Sequence, residues 1–274
     1  MNKLLKANFA RLMKDKIFWF GMAFMFSAGI FGVIMKLIND PAATADQLML
    51  IFPVLICIVS AAFCSLFIGT EYSDGTIRNK LIVGHSRNAV YLSNFITCSA
   101  AGIIMCLSYL AAVASFGLLL LGLSETNMGA VVILILVAFM MVIACTALFT
   151  LLCMLNQNKA FAAVICILVI VSLFVLAAMI NARLEAPQFY NNYVFTDSLG
   201  SVEPTPGQIE NPQFLTGMKR EIYHFFLDFL PTGQAIEIST QSTPHLWQMP
   251  LYSLLIILVS TGCGLFRFRK KDLK

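Results

Sequence analysis

Residues 69–91 read GTEYSDGTIRNKLIVGHSRNAVY. This is a long polar stretch with clustered basic residues, set between two apolar runs that are each long enough to cross a bilayer. Within it Ser73 or Asp74 is placed to cap a helix, Gly75 to Val83 is enough for about two turns, and Gly84 is placed to end them in a left-handed conformation. On that helix Ile77 and Leu81 stand four apart on one side, as do Arg78 and Ile82, with Asn79 and Lys80 between them. Two turns are not stable alone in water. The stretch therefore reads as a docking loop, with a membrane on one side and a partner protein on the other.

The flanks decide the class. Across 274 residues, 59% are apolar and 12% charged, with a mean hydropathy of +0.84, against about 25% charged in soluble domains. The pattern predicts an all-α polytopic membrane protein with six spans, at 17–38, 48–68, 91–121, 130–155, 161–180 and 251–266, in one domain covering 1–274. The third, at about 30 residues, exceeds what a bilayer needs and has to tilt or protrude. The eight cysteines all fall in apolar runs without a C-x-x-C spacing and read as core residues.

Ahead of the first span, residues 1–16 place Leu5, Phe9, Leu12 and Met13 at helical spacing, with Lys3, Lys6, Arg11 and Lys14 around them. That is the pattern of an interfacial elbow helix at an anionic surface. A cleaved signal peptide fits less well, because the next apolar run has full span length and no small-residue cleavage site follows it.

Orientation follows from basic residues. With the N-terminus inside, Lys3, Lys6, Arg11, Lys14, Lys16, Arg78, Lys80, Arg87, Lys159, Arg267, Arg269, Lys270, Lys271 and Lys274 lie inside, and Lys36, Arg183, Lys219 and Arg220 outside. The rule of positive loops then puts both termini and the 69–90 loop in the cytoplasm. The basic tail abuts a span and reads as a membrane-surface stop, not a nucleic-acid patch.

The remaining segment, 181–249, is expected outside. It is proline-rich and mostly loop. Met218, Ile222, Phe225, Phe226 and Phe229 form an apolar stripe expected to pack on the outer span ends, with Glu221, His224 and Asp228 on a solvated face.

No G-x-x-x-x-G-K-[ST] or H-E-x-x-H occurs, and the three histidines sit far from any nucleophile. The span centres lack Asp, Glu, Lys, Arg and His. Ion-driven carriers place such groups in the membrane despite a cost of about 2.5–3.5 kcal/mol, so the driving energy is expected to come from a partner. Small residues that would let helices approach closely are Gly21, Ser27, Ala28 and Gly32 in the first span and Ala177 and Ala178 in the fifth. Polar Ser93, Asn94, Thr97, Ser108, Thr146 and Thr150 are the span residues available to a cargo.

Glu71, Gly75-Thr76-Ile77-Arg78-Asn79-Lys80-Leu81-Ile82, Gly84 and Ser86-Arg87, followed by Tyr91-Leu92-Ser93, resemble the membrane subunits of ABC-2 type ATP-binding-cassette exporters. With span count and loop order the resemblance covers essentially the whole chain. It implies that the loop is a coupling helix seated in a cleft of a separate ATPase. Ile77 and Leu81 would then be its apolar knob, Glu71, Arg78 and Lys80 its polar contacts, and Asp74, Gly75, Thr76, Asn79, Ile82 and Gly84 the rest of the surface. The resemblance also implies two ATPase copies, a second permease copy or relative meeting this one through spans one and five, ATP and Mg²⁺ bound only on the ATPase, and a bacterial plasma membrane. Similar small permeases export amphipathic peptides, which makes a peptide or other hydrophobic cargo the expectation. A membrane scaffold or immunity protein binding a partner through its outer segment is the alternative.

Overall fold

Hydrocarbon offers backbone amides no water, so each apolar run must close its hydrogen bonds internally, and in the computed structural model it does so as helix. The structure describes residues 1–39, 44–122, 128–191, 194–195, 202–203 and 208–271. Part of the turn expected after the first span, Pro204, Pro206 and Lys274 lie outside the described residues.

The chain runs through α1 (Asn2–Lys14), α2 (Lys16–Asn39), α3 (Ala45–Met49), α4 (Phe52–Ser73), α5 (Thr76–Ile82) and α6 (Arg87–Ala112). A π-helical turn (Val113–Gly117) leads to α7 (Leu118–Leu120), then α8 (Met128–Leu155), α9 (Lys159–Leu184), α10 (Gly217–Phe229), α11 (Pro231–Thr240) and α12 (Gln248–Lys270). Six of these stretches are long and apolar enough to cross a membrane: Lys16–Asn39, Ala45–Ser73, Arg87–Leu120, Met128–Leu155, Lys159–Leu184 and Gln248–Lys270. The chain is a multi-pass, essentially all-α protein. α1, the last turn of α4, α5, the first turns of α6 and α9, and the last turns of α8 and α12 gather at one end, which we call the basic end.

Local chemistry sets the breaks. Asp15, extended between α1 and α2, accepts the Ile17 amide on its carboxylate at 2.7 Å and so caps α2. The stretch expected as a span over 48–68 is broken, because Pro53 has no amide hydrogen to give and stands in the first turn of α4, leaving α3 as a separate short helix. α4 then continues to Ser73, beyond the expected boundary. The long third span is not one straight helix. It starts earlier, at Arg87, capped by the Ser86 hydroxyl, which accepts the Ala89 amide at 3.3 Å, and it absorbs its extra length in the π-helical turn.

Four of the six small residues expected between protomers are used inside the chain. A β-carbon on Gly29 would lie 2.9 Å from that of Ala112, so α2 crosses α6 nearly backbone to backbone there. Gly21 is buried against Met105, Gly32 faces Leu48, and Ala28 packs on the core. Ala177 is buried beside Leu227. Of the six, Ser27 and Ala178 are the two left exposed, and large side chains such as Phe20, Phe31, Leu168 and Met179 cover the outward faces of α2 and α9. The polar span residues are also turned inward: Ser99 meets Thr146 at 2.8 Å, Ser108 donates to the Met22 carbonyl, and Thr97 to that of Ser93.

At the end opposite the basic one, two short antiparallel ladders appear that the sequence did not announce, Phe189–Asn191 with Gln208–Glu210 and Val194–Phe195 with Val202–Glu203. The helix at 217–229 is present but turned the other way. Met218 is 81% exposed and Ile222, Phe225 and Phe226 are about half exposed, whereas Asp228 is 1% exposed. The apolar stripe thus faces outward, in the manner of a helix bedded in lipid, while Glu221 stays exposed as expected and Asp228 turns into the protein. The physical reason is α11, which starts at Pro231, packs among α4, α8 and α9, and brings its own polar side chains to meet α10. The corner between α10 and α11 is tight: a β-carbon on Gly233 would sit 2.1 Å from the Leu227 carbonyl oxygen. A backbone carbonyl cannot swing aside, so Gly233→Ala is expected to cost about 1–3 kcal/mol by overpacking, measured as a lower unfolding temperature of the purified protein.

A candidate coupling site at the basic end

α5 is only two turns long, and three devices hold it. Gly75 before it (φ +67°) and Gly84 after it (φ +96°) take left-handed conformations that other residues resist. The helix therefore starts at Thr76, and neither Ser73 nor Asp74 caps it, because both belong to the end of α4. The Gly84 amide donates to the Leu81 carbonyl and the His85 amide to that of Lys80, a Schellman closure. Thr76 donates its hydroxyl to the Glu71 carbonyl at 3.0 Å.

The third device is Ile77. It is 1% exposed and packs into the core, with Leu81 half-buried beside it. These two were expected to project as the knob, and the structure turns them the other way. A seven-residue helix needs one apolar side against the bundle to form at all, and Ile77 is that side. The outward surface consists of Arg78, Asn79, Ile82 and Val83, the last two 75% and 76% exposed. Beside Val83, between α1 and α5, lies an open hollow of about 330 Å³ that Leu4 and Ala7 also line.

Behind this surface sits a buried polar network. Glu71, in the last turn of α4, has a fully buried side chain. One carboxylate oxygen accepts from both Arg11 of α1 and Lys80 of α5, and the other accepts from Asn94 of α6 at 2.7 Å. Asn8 of α1 donates to Asn94 at 2.8 Å and to Ser93 at 3.3 Å, and accepts from Lys80 at 2.8 Å. Arg11 also donates to the Phe67 carbonyl and lies 3.8 Å over the Phe67 ring. An acid in the C-terminal turn of a helix opposes the helix dipole, and the two cations offset that cost. Four helices thus meet at one carboxylate. Glu71 and Lys80, expected as contacts to a partner, are instead the internal joint of the loop.

The network corrects the elbow reading. α1 buries Leu4, Asn8 and Leu12, leaves Leu5 and Phe9 half-buried and exposes Met13, so its inward stripe is shifted by one residue to bring Asn8 to the network. Asn8 and Arg11 were not singled out as site residues from the sequence, and Asn94, offered there as available to a cargo, is instead part of the joint. The available signal was an asparagine and an arginine one turn apart on a short helix, together with an amide side chain at the mouth of an apolar span.

Further ties close the basic end. Arg87 donates to the carbonyls of Phe268 and Arg269 at 3.1 and 3.3 Å, and Lys159 to Thr70 at 3.0 Å. Lys271 reaches the Met154 carbonyl at 3.0 Å, and burial pushes its ammonium down to about 8. The last two turns of α4 are therefore held by α1, α5, α6 and α9, and through Lys271 by the end of α12. A displacement of α5 has rigid routes into the spans.

A search of curated proteins returned no match to the chain. A family model described as ABC-2 family transporter protein matches residues 3–273, nearly the whole length, and the chain belongs to that family, as a membrane permease whose partner is an ABC ATPase.

Proposed function

We propose that the chain is the permease of an ATP-driven exporter, and that the outward face of α5 (Arg78, Asn79, Ile82 and Val83) is where the ATPase engages. The observation that carries this reading is the junction of an exposed apolar edge with a buried ionic joint. A push on Ile82 and Val83 moves Lys80, and Lys80 moves Glu71 of α4 and Asn8 of α1. Positive loops favour a cytoplasmic basic end with both termini inside, and the family resemblance favours a bacterial plasma membrane as the setting. ATP and Mg²⁺ are then held by the ATPase, in two copies, facing two permease copies or a permease pair.

An apolar cargo is favoured by a groove of about 330 Å³ between α2 and α4, lined by Phe20, Phe24, Leu55, Ile58 and Val59 among others and lacking charged side chains. An amphipathic peptide is the class that best combines such a groove with export. The test is ATP hydrolysis by the reconstituted permease and ATPase against a panel of amphipathic peptides. Stimulation by a peptide that depends on the permease is expected. Hydrolysis indifferent to every peptide but raised by lipid-like drugs would replace the peptide with a lipid-like cargo.

A further inference from the structure

At the end opposite the basic one, α10 and α11 enclose two carboxyls that no Lys or Arg pairs among the described residues. Asp228 and Glu237 are 1% and 3% exposed. One Asp228 oxygen meets His245 Nδ1 at 3.1 Å, while its other oxygen and one of Glu237 find no conventional donor. The Glu237 carboxyl lies beside that of Asp228 where α10 and α11 pack together. Carboxylates only accept hydrogen bonds, so contact between two of them requires a proton.

We propose that Asp228 and Glu237 form a proton-binding site, a shared carboxylic acid and carboxylate that latches α10 onto α11.

The surroundings fit. α4 between Phe52 and Thr70, and α8 throughout, bring no Asp, Glu, Lys, Arg or His. From α9 the end residue Arg183 is engaged by Gln213. α10 brings Arg220, Glu221 and His224, the turn before α12 brings His245, and α12 brings Tyr252, which donates to Gln248 at 3.1 Å. His224 stacks edge to face on His245 with centroids 5.7 Å apart, and burial pulls its imidazole below the ordinary value. It therefore favours the neutral form and offers the acid pair no cation. Gln234 pins the corner by donating to the carbonyls of Asp228 and Met249, and it accepts from Ser253 of α12. Burial first, and then the Asp228 neighbour, push the Glu237 carboxyl up to about 9.

The sign follows. A carboxyl raised in the fold contributes stability that is fully present below its unfolded value and is lost as pH rises through the folded one. The latch is thus closed at neutral pH and opens in alkali. Exposure to the medium outside the cell rests on the orientation proposed above, whereas proton binding does not.

The experiment is an infrared pH titration of the full chain in lipid nanodiscs, followed in the stretch of protonated carboxyl groups, beside a pH series of unfolding temperatures. Expected for the wild type is a protonated-carboxyl band at pH 7 that vanishes with a midpoint near 9, together with an unfolding temperature that falls from the ordinary carboxyl range up to that midpoint and levels off above it. Glu237→Gln should lack that band and flatten the stability profile. Asp228→Asn removes the repelling partner and should move the midpoint down by about one pH unit. A wild type with no such band at pH 7, or a band unmoved by either variant, overturns the proposal. Should Glu237→Gln fail to fold, the wild-type titration and the Asp228→Asn shift decide it.

Discussion

Glu71→Ala is expected to destabilise the basic end by about 3–5 kcal/mol, the range measured when one partner of a buried ion pair is removed. The substitution leaves Lys80, whose side chain is only 15% exposed, without a carboxylate, takes from Asn94 its acceptor, and leaves Arg11 with only the Phe67 carbonyl and ring. α5 cannot hold itself together, so the loss should appear first as faster amide exchange across 76–82 and in α1, with the spans still protected. Lys80→Met is the milder control, because it keeps the Arg11 to Glu71 pair and supplies an apolar side chain of similar length. Its cost should be clearly less than that of Glu71→Ala. Equal exchange rates in α5 for Glu71→Ala and wild type would show that the joint does not hold the loop.

Much of this architecture is legible in the residues because lipid allows few options. An apolar run of span length has to be helix, and a glycine on each side of a two-turn segment announces its limits, as Gly75 and Gly84 do. Which way a short helix faces is less legible. Ile77 and Leu81 stand on one side and Ile82 and Val83 on the next, and spacing alone does not say which pair meets the bundle. That is decided by Arg11, Lys80 and Asn94, side chains of three other helices that converge on Glu71. The same ambiguity reversed α10. Beside a membrane, phenylalanines are as stable outward in lipid as inward in protein, so an amphipathic stripe loses the directional meaning it has in water. Small residues are ambiguous for a related reason. Gly21, expected at a contact with a second copy, marks a close approach of α2 to α6 within one chain.

The outward face of α5 leads to the second large effect. Replacing Ile82 and Val83 together with Asp is expected to abolish co-purification of the ATPase while leaving the permease folded. Both side chains are about three-quarters exposed, so in the isolated chain the carboxylates stay in water and surface substitutions of this kind change stability by less than about 0.5 kcal/mol. Inside an ATPase cleft each would be an unpaired buried charge, costing several kcal/mol. Affinity changes tenfold for every 1.4 kcal/mol, so binding should fall by more than about a hundredfold. Ile77→Asp supplies the contrast. It places a charge where the side chain is 1% exposed, so it should lower the unfolding temperature of the permease alone, before any partner is added. The two variants thus separate a docking residue from a residue that builds the docking helix. If the Ile82 and Val83 double variant retains its ATPase and its transport rate, the partner engages elsewhere on the basic end, and the hollow beside Leu4 and Ala7 becomes the place to look. If it loses the ATPase with an unchanged unfolding temperature, the edge formed by those two side chains is the contact through which hydrolysis reaches Glu71 and the spans.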